Sequence, residues 1–135
     1  MKKLVKVLAV VLVMLTLSLA VACAPNANPE KAKESLEKNG YAVSLTTDAI
    51  GLAITERILG LDRGDLVAVL TAGNEEGEAI TIVYFEEADD ARDCYKEYKD
   101  DLKELLETDD EEKEIVAKQS GKMIYIGTKA AIKVA

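Results

Sequence analysis

The chain has 135 residues, with 17 basic and 25 acidic side chains, two cysteines and no histidine. Without histidine, Ser-His-Asp and Cys-His nucleophilic sites and histidine-ligated zinc sites are excluded, and two cysteines are too few for a cysteine-only zinc site. All 25 acidic residues and 14 of the 17 basic ones follow Cys23, so the chain beyond it carries a formal charge of −11. That charge argues against binding nucleic acid and against electrostatic binding to anionic lipids.

The N-terminus has the layout of a secretory signal. Three lysines precede an apolar run from Val7 to Ala22, which is shorter than the roughly 20 residues that span a bilayer. The run ends in Leu-Ala-Val-Ala directly before Cys23, and residues 1–23 resemble the signal and lipobox of bacterial lipoprotein precursors. The resemblance implies cleavage after Ala22 and a diacylglyceryl group on Cys23. The alternative is an ordinary signal peptide cut after Ala22 or Ala24, with Cys23 unmodified.

This organisation predicts three parts: a signal peptide at 1–22, a lipidated cysteine with a short tether at 23–28, and a single domain at 29–135. The domain is long enough for one hydrophobic core. With Cys23 lipidated, Cys94 is the remaining thiol, so no intramolecular disulfide is expected. The five residues after Cys23 reach at most about 18 Å, which places the domain close to the bilayer.

The first predicted elements are a helix, a strand and a second helix. Asn28 as N-cap and Pro29 at the first helical position predict a helix over 29–39. Alternating apolar residues predict a half-buried strand over 41–47. After Asp48, a plausible N-cap, the apolar spacing becomes helical. The apolar face predicted for this second helix consists of Ile50, Ala53, Ile54, Ile58 and Leu61.

The second half of the chain predicts two hairpins separated by a long helix. Apolar runs at 66–72 and 79–85 flank a polar loop, and 114–119 with 123–127 form another strand pair. The helix at 87–107 has an acidic start that suits its dipole, and Thr128 is the predicted N-cap of a terminal helix. Short polar turns favour antiparallel pairing. The fold class is therefore predicted as α+β, two-layer, with a mainly antiparallel sheet of four to five strands and helices packed on one face.

No catalytic residue, cofactor or metal site is predicted. The sequence has neither a P-loop nor a dinucleotide-binding motif. Runs of carboxylates are typical of solvated helix faces and loops, although two carboxylates suffice for glycoside hydrolysis. Oxygen ligands for Ca²⁺ could come from Thr108 to Glu112 or from Asn74 to Glu78, without the EF-hand spacing. Cys94 is interpreted as a partly buried small hydrophobic residue rather than a redox thiol.

Five tyrosines leave two possibilities open, since a phenol can line a ligand groove or sit in a core with its hydroxyl at the edge. They are Tyr41, Tyr84, Tyr95, Tyr98 and Tyr125. By elimination, the sequence predicts a non-enzymatic binding or interaction module, exported to the bacterial cell envelope and anchored on the extracytoplasmic side by a lipid on Cys23. Its partner would be an envelope protein, a polymer or a small ligand. A Ca²⁺-binding module and a carboxylate-only hydrolase are the alternatives.

Overall fold

The computed structural model describes the backbone of residues 24–107 and 115–135 and the side chains of 24–101 and 115–135. Every predicted helix and strand is present, in the predicted order. The elements are α1 (Pro29–Lys38), β1 (Ala42–Thr46), α2 (Ala49–Ile58), β2 (Leu66–Gly73), β3 (Ala79–Phe85), α3 (Ala88–Glu107), β4 (Ile115–Ser120), β5 (Met123–Thr128) and α4 (Lys129–Val134).

The five strands form one sheet in the order β1-β2-β3-β5-β4, and every neighbouring pair is antiparallel. The predicted α+β class with an antiparallel sheet is confirmed. Tight polar turns make this pairing possible. In the turn between β2 and β3, the Asn74 side-chain oxygen accepts hydrogen bonds from the backbone N–H groups of Glu76 and Glu78, at 3.1 and 2.9 Å. Such a side-chain bond to nearby backbone is the reason that asparagine favours turns.

The first face of the sheet is covered by α1 and α4. Leu36 of α1 and Ile132 of α4 pack with Leu70 and Ile82 of the sheet in the larger of two hydrophobic cores. Asn28 is the N-cap of α1, as predicted, because its side-chain oxygen accepts from two backbone N–H groups in the first turn. The helix that begins the domain is thus fixed both by its cap and by its buried face.

The second face is covered by α2 and α3, so helices lie on both faces rather than on one as the sequence predicted. Leu52 of α2 and Cys94 of α3 pack with Leu66 and Phe85 in the second core. The physical reason lies in the strands. In β3, apolar residues that face the first core alternate with Val83 and Phe85, which face the second. Both faces of this strand are therefore apolar, and helices must pack on each face to shield it from water.

A β-bulge increases the apolar content of the second face. The register of β2 against β3 shifts between Leu66 and Ala68, so that Leu66 joins the second core while Ala68 joins the first. A regular strand would place residues two apart on the same face. The bulge sits at the beginning of β2, where α2 and its following loop approach the sheet.

The orientation of α2 differs from the predicted one. Leu52 and Glu56 are its buried residues, whereas Ile50, Ile54 and Ile58 are exposed. The cause is the carboxylate of Glu56, which accepts from the backbone N–H of Gly64 at 2.7 Å and from that of Leu66 at 3.2 Å. Buried backbone N–H groups need a hydrogen-bond acceptor, and those of Gly64 and Leu66 both donate to the charged carboxylate. The polar side chain is therefore inside and the isoleucines are outside.

Thr128 is the residue before α4, as predicted, but its side chain makes no capping bond to that helix. Its hydroxyl oxygen instead accepts from the backbone N–H of Ala79, at 3.3 Å, and so joins the end of β5 to the start of β3. The Thr128 hydroxyl therefore stabilises the sheet and does not cap α4.

Replacing Glu56 tests the constraint on α2. Glu56→Ala removes the acceptor of two backbone N–H groups, so we expect the free energy of unfolding to fall by about 2 to 4 kcal/mol in urea titrations of the purified domain. Glu56→Gln keeps one side-chain oxygen and should lose less. Equal losses in the two variants, or no loss in either, would contradict the role assigned to the carboxylate.

Candidate functional site

An apolar cleft of about 230 Å³ lies between α3 and the second face of the sheet. Its floor is formed by strands β3 and β5, and one wall by α3. Its lining includes Val83, Phe85, Ile124, Ile126, Cys94 and Tyr98. Protein interiors are close-packed, with few voids larger than a water molecule. An apolar space of this size is thus a candidate binding site.

Two tyrosine hydroxyls hold α3 at its distance from the sheet. Tyr98 donates to the backbone carbonyl of Leu59 at 2.9 Å, which joins α3 to the loop after α2. Tyr95 donates to the carbonyl of Ala117 at 3.2 Å, which joins α3 to β4. Both tyrosine side chains also line the cleft. These two hydrogen bonds fix the distance between α3 and the sheet, and this distance sets the width of the cleft.

Negative charges act on two of the groups that line the cleft. Burial, followed by the negative charge of Glu97, raises the pKa of the Cys94 thiol. For Tyr98, partial desolvation and then the charges of Glu97 and Asp101 are among the causes that raise the pKa of the phenol. Asp101 itself is exposed and lines the cleft. The site is therefore apolar inside and acidic at its edge.

Cys94 is buried and free, with 5 % of its surface exposed. This confirms its interpretation as a small hydrophobic residue. A reactive thiol needs a lowered pKa and access to solvent, and Cys94 has neither. Its contribution to the cleft is an apolar wall.

The five tyrosines divide between the two roles that the sequence left open. Tyr95 and Tyr98 line the cleft, whereas Tyr41, Tyr84 and Tyr125 are buried in the first core. The strand residues of the cleft were not predicted as site residues. Near-continuous apolar runs in β3 and β5 are the signal that could have found them, because such runs are typical of strands buried on both faces.

Five aspartates lie close together where β2 begins and α3 begins. Partial burial, followed by the charges of Asp65, Asp93, Asp89 and Asp62 in that order, raises the pKa of Asp90. Within the described ranges, no group of three or more acidic or cysteine side chains has a geometry that could hold a metal ion. Of the two Ca²⁺ candidates, Asn74 to Glu78 uses its asparagine oxygen in the hairpin turn, and Thr108 to Glu112 lies outside the described residues.

Cys23, the predicted site of lipid attachment, also lies outside the described residues, which begin at Ala24. Pro25 is buried, and the carbonyl of Asn26 accepts a hydrogen bond from the Tyr84 hydroxyl at 2.9 Å. The predicted tether therefore contacts the domain at Pro25 and through the Asn26 carbonyl, whereas residues 26 to 28 are exposed. No helix in the described part of the chain combines the length and apolar character needed to cross a membrane.

Comparison with known proteins adds no relative from which a function could be carried over. No protein-family model, no curated protein and no solved structure matches this chain.

Proposed function

We propose that this chain is an exported lipoprotein, anchored by a lipid on Cys23 to the extracytoplasmic face of a bacterial membrane, whose domain binds a small apolar ligand without catalysis. The proposed export and lipidation are supported by the basic, apolar and small-residue pattern of residues 1–23. The activity rests on one observation, the apolar cleft under α3. Ligand sites are typically concave and apolar with a few polar groups, which is the character of this cleft.

The size of the cleft restricts the ligand. At about 230 Å³ it is smaller than sites for drug-sized molecules, which start near roughly 300 Å³. Apolar cavities of about 150 Å³ bind benzene or xenon and stay dry when empty. The expected ligand is thus a small ring or short chain, or the apolar end of a larger molecule.

Charge restricts the ligand further. Asp101 lines the cleft, and the charges of Glu97 and Asp101 raise the pKa of Tyr98 beside it. A carboxylate or phosphate on the ligand would be repelled at this edge, whereas a neutral or cationic group would not. The two phenol hydroxyls are already bonded to backbone carbonyls. Recognition therefore depends on apolar contact with a neutral or cationic ligand.

Fatty-acid labelling tests the anchor. In cells that express the full chain, we expect radioactive fatty acid to label the wild type and Cys94→Ser but not Cys23→Ser. The Cys94 variant is the matched control, since it removes the other cysteine of the chain. Label on Cys23→Ser, or none on the wild type, would contradict lipidation at Cys23.

Benzene titration tests the cleft. We expect saturable changes in the methyl NMR signals of Val83, Ile124 and Ile126, and stabilisation by about 1.4 kcal/mol at ten times the dissociation constant. Ile124→Phe fills the cleft and should abolish both effects. Val116→Phe adds bulk on the first-core side of the sheet and should leave them intact. A response that is the same in wild type and Ile124→Phe would overturn the cleft as the binding site.

A further inference from the structure

The cleft under α3 has a buried end and an exposed end. Phe85 and Cys94 line it and are buried together in the second core, whereas Asp101 is the lining residue that is exposed. Cys94 and Asp101 are seven residues apart on α3, so two helical turns, or about 10 Å, separate them along the helix axis. A ligand in the cleft therefore has one end among buried apolar side chains and the other end near Asp101.

The interior of the cleft offers a ligand apolar contact. The surface that lines it is almost entirely apolar. The hydroxyls of Tyr95 and Tyr98 donate to backbone carbonyls, so they are not available as donors to a ligand. Burying a polar group without a hydrogen-bond partner is unfavourable. The polar group of a ligand is therefore expected at the exposed end of the cleft.

The charge at the exposed end is negative. Among the residues that line the cleft, Asp101 is charged and none is basic. Partial desolvation and then the charges of Glu97 and Asp101 are among the causes that raise the pKa of Tyr98, so both carboxylates act on this wall of the cleft. A cation is attracted to such an opening, and an anion is repelled by it.

The neighbours of Asp101 on α3 do not neutralise its charge. Side chains three and four positions apart are neighbours on a helix surface. For Asp101, these positions hold Glu97, Tyr98, Glu104 and Leu105, and none of them is basic. The ion pairs found among the described residues lie within α1 and near the start of α3, and none includes Asp101. The carboxylate is therefore available to a cation from outside the chain.

We propose that the cleft binds a small organic ammonium ion, with its apolar part between α3 and the sheet and its ammonium group beside the carboxylate of Asp101. The inference rests on the proposed ligand-binding function and narrows its neutral or cationic ligand to a cation. Because Asp101 is exposed, the ammonium group stays in contact with water at the opening. The ligand thus avoids the large cost of burying a charge.

The volume of the cleft sets the size of the apolar part. Cavities of about 150 Å³ bind benzene, and this cleft of about 230 Å³ leaves room for a short linker beyond the ring. Each CH₂ group that the ligand buries should tighten binding by about fourfold. Apolar contact therefore provides most of the affinity, and Asp101 provides the selectivity for a cation.

Three compounds of nearly the same size test the proposal. They are 2-phenylethylamine, which is protonated near pH 7 as a lysine side chain is, neutral 2-phenylethanol, and negatively charged phenylacetate. Each is titrated into the full protein at low salt, and the methyl NMR signals of Val83, Ile124 and Ile126 report binding. We expect the amine to bind about fivefold more tightly than the alcohol, as for a favourable exposed ion pair, and phenylacetate to bind most weakly. Added salt should reduce the difference between amine and alcohol.

Two aspartate variants separate the cleft from the general charge of the chain. Asp101→Asn should remove the advantage of the amine over the alcohol. Asp100→Asn is the matched control, because it removes the same charge from the neighbouring position, which does not line the cleft. It should keep the advantage. Both positions are exposed on α3, so both variants should fold as the wild type does.

The results that would overturn the inference differ in what else they affect. Equal affinity for amine and alcohol in the wild type, or equal losses in the two aspartate variants, would overturn the selectivity for a cation. If Ile124→Phe still abolished binding of the alcohol, the cleft would remain a ligand site. Binding of the amine that survived Ile124→Phe would assign it to the acidic surface instead of the cleft. Absence of any response to the three compounds would overturn this inference and the proposed ligand binding together.

Discussion

The hydrogen bonds of the Glu56 carboxylate to the backbone of Gly64 and Leu66 determine how the second face of this domain is built. They fix the loop after α2 to the start of β2, where Gly64 has a φ of +90° that favours glycine. They also set the rotation of α2, because the side of the helix that carries Glu56 must face that loop. Leu52, one turn earlier on the same side, then enters the second core beside Leu66. A buried polar contact thus decides which apolar residues are buried and which are not.

The position of α3 over the cleft and the exposure of the isoleucines follow from this arrangement. With α2 in this position, the carbonyl of Leu59 accepts a hydrogen bond from the hydroxyl of Tyr98. That bond holds α3 over the cleft. Ile50, Ile54 and Ile58 lie on the opposite side of α2 and are exposed. The cleft and the exposed isoleucines of α2 therefore lie on different surfaces of the same layer of the fold. On the first face, the hydrogen bond from the Tyr84 hydroxyl to the Asn26 carbonyl joins the residues before α1 to the sheet.

Local signals in the sequence predicted the elements well. The capping roles of Asn28 and Asp48 depend on residues two or three positions away, and both are confirmed. It was harder to predict which side of each element faces the core. Hydrophobic spacing assigned Ile50, Ile54 and Ile58 to the core because apolar residues usually face inward. The partners of Glu56 are backbone groups eight and ten residues away, and no local pattern reports them. The cleft was missed for a similar reason, since it depends on residues from β3, β5 and α3 that only the folded sheet brings together.

Glu56 and Leu52 face inward on α2, and Ile50, Ile54 and Ile58 face outward. The most direct test compares the unfolding free energies of Leu52→Ser and Ile54→Ser, which place the same side chain on opposite sides of one helix. We expect Leu52→Ser to destabilise the domain by about 3 kcal/mol, because it removes a buried leucine and introduces a hydroxyl into the core. Ile54→Ser should stay within about 0.5 kcal/mol of the wild type, as exposed substitutions usually do. A larger loss for Ile54→Ser than for Leu52→Ser would contradict the orientation of α2.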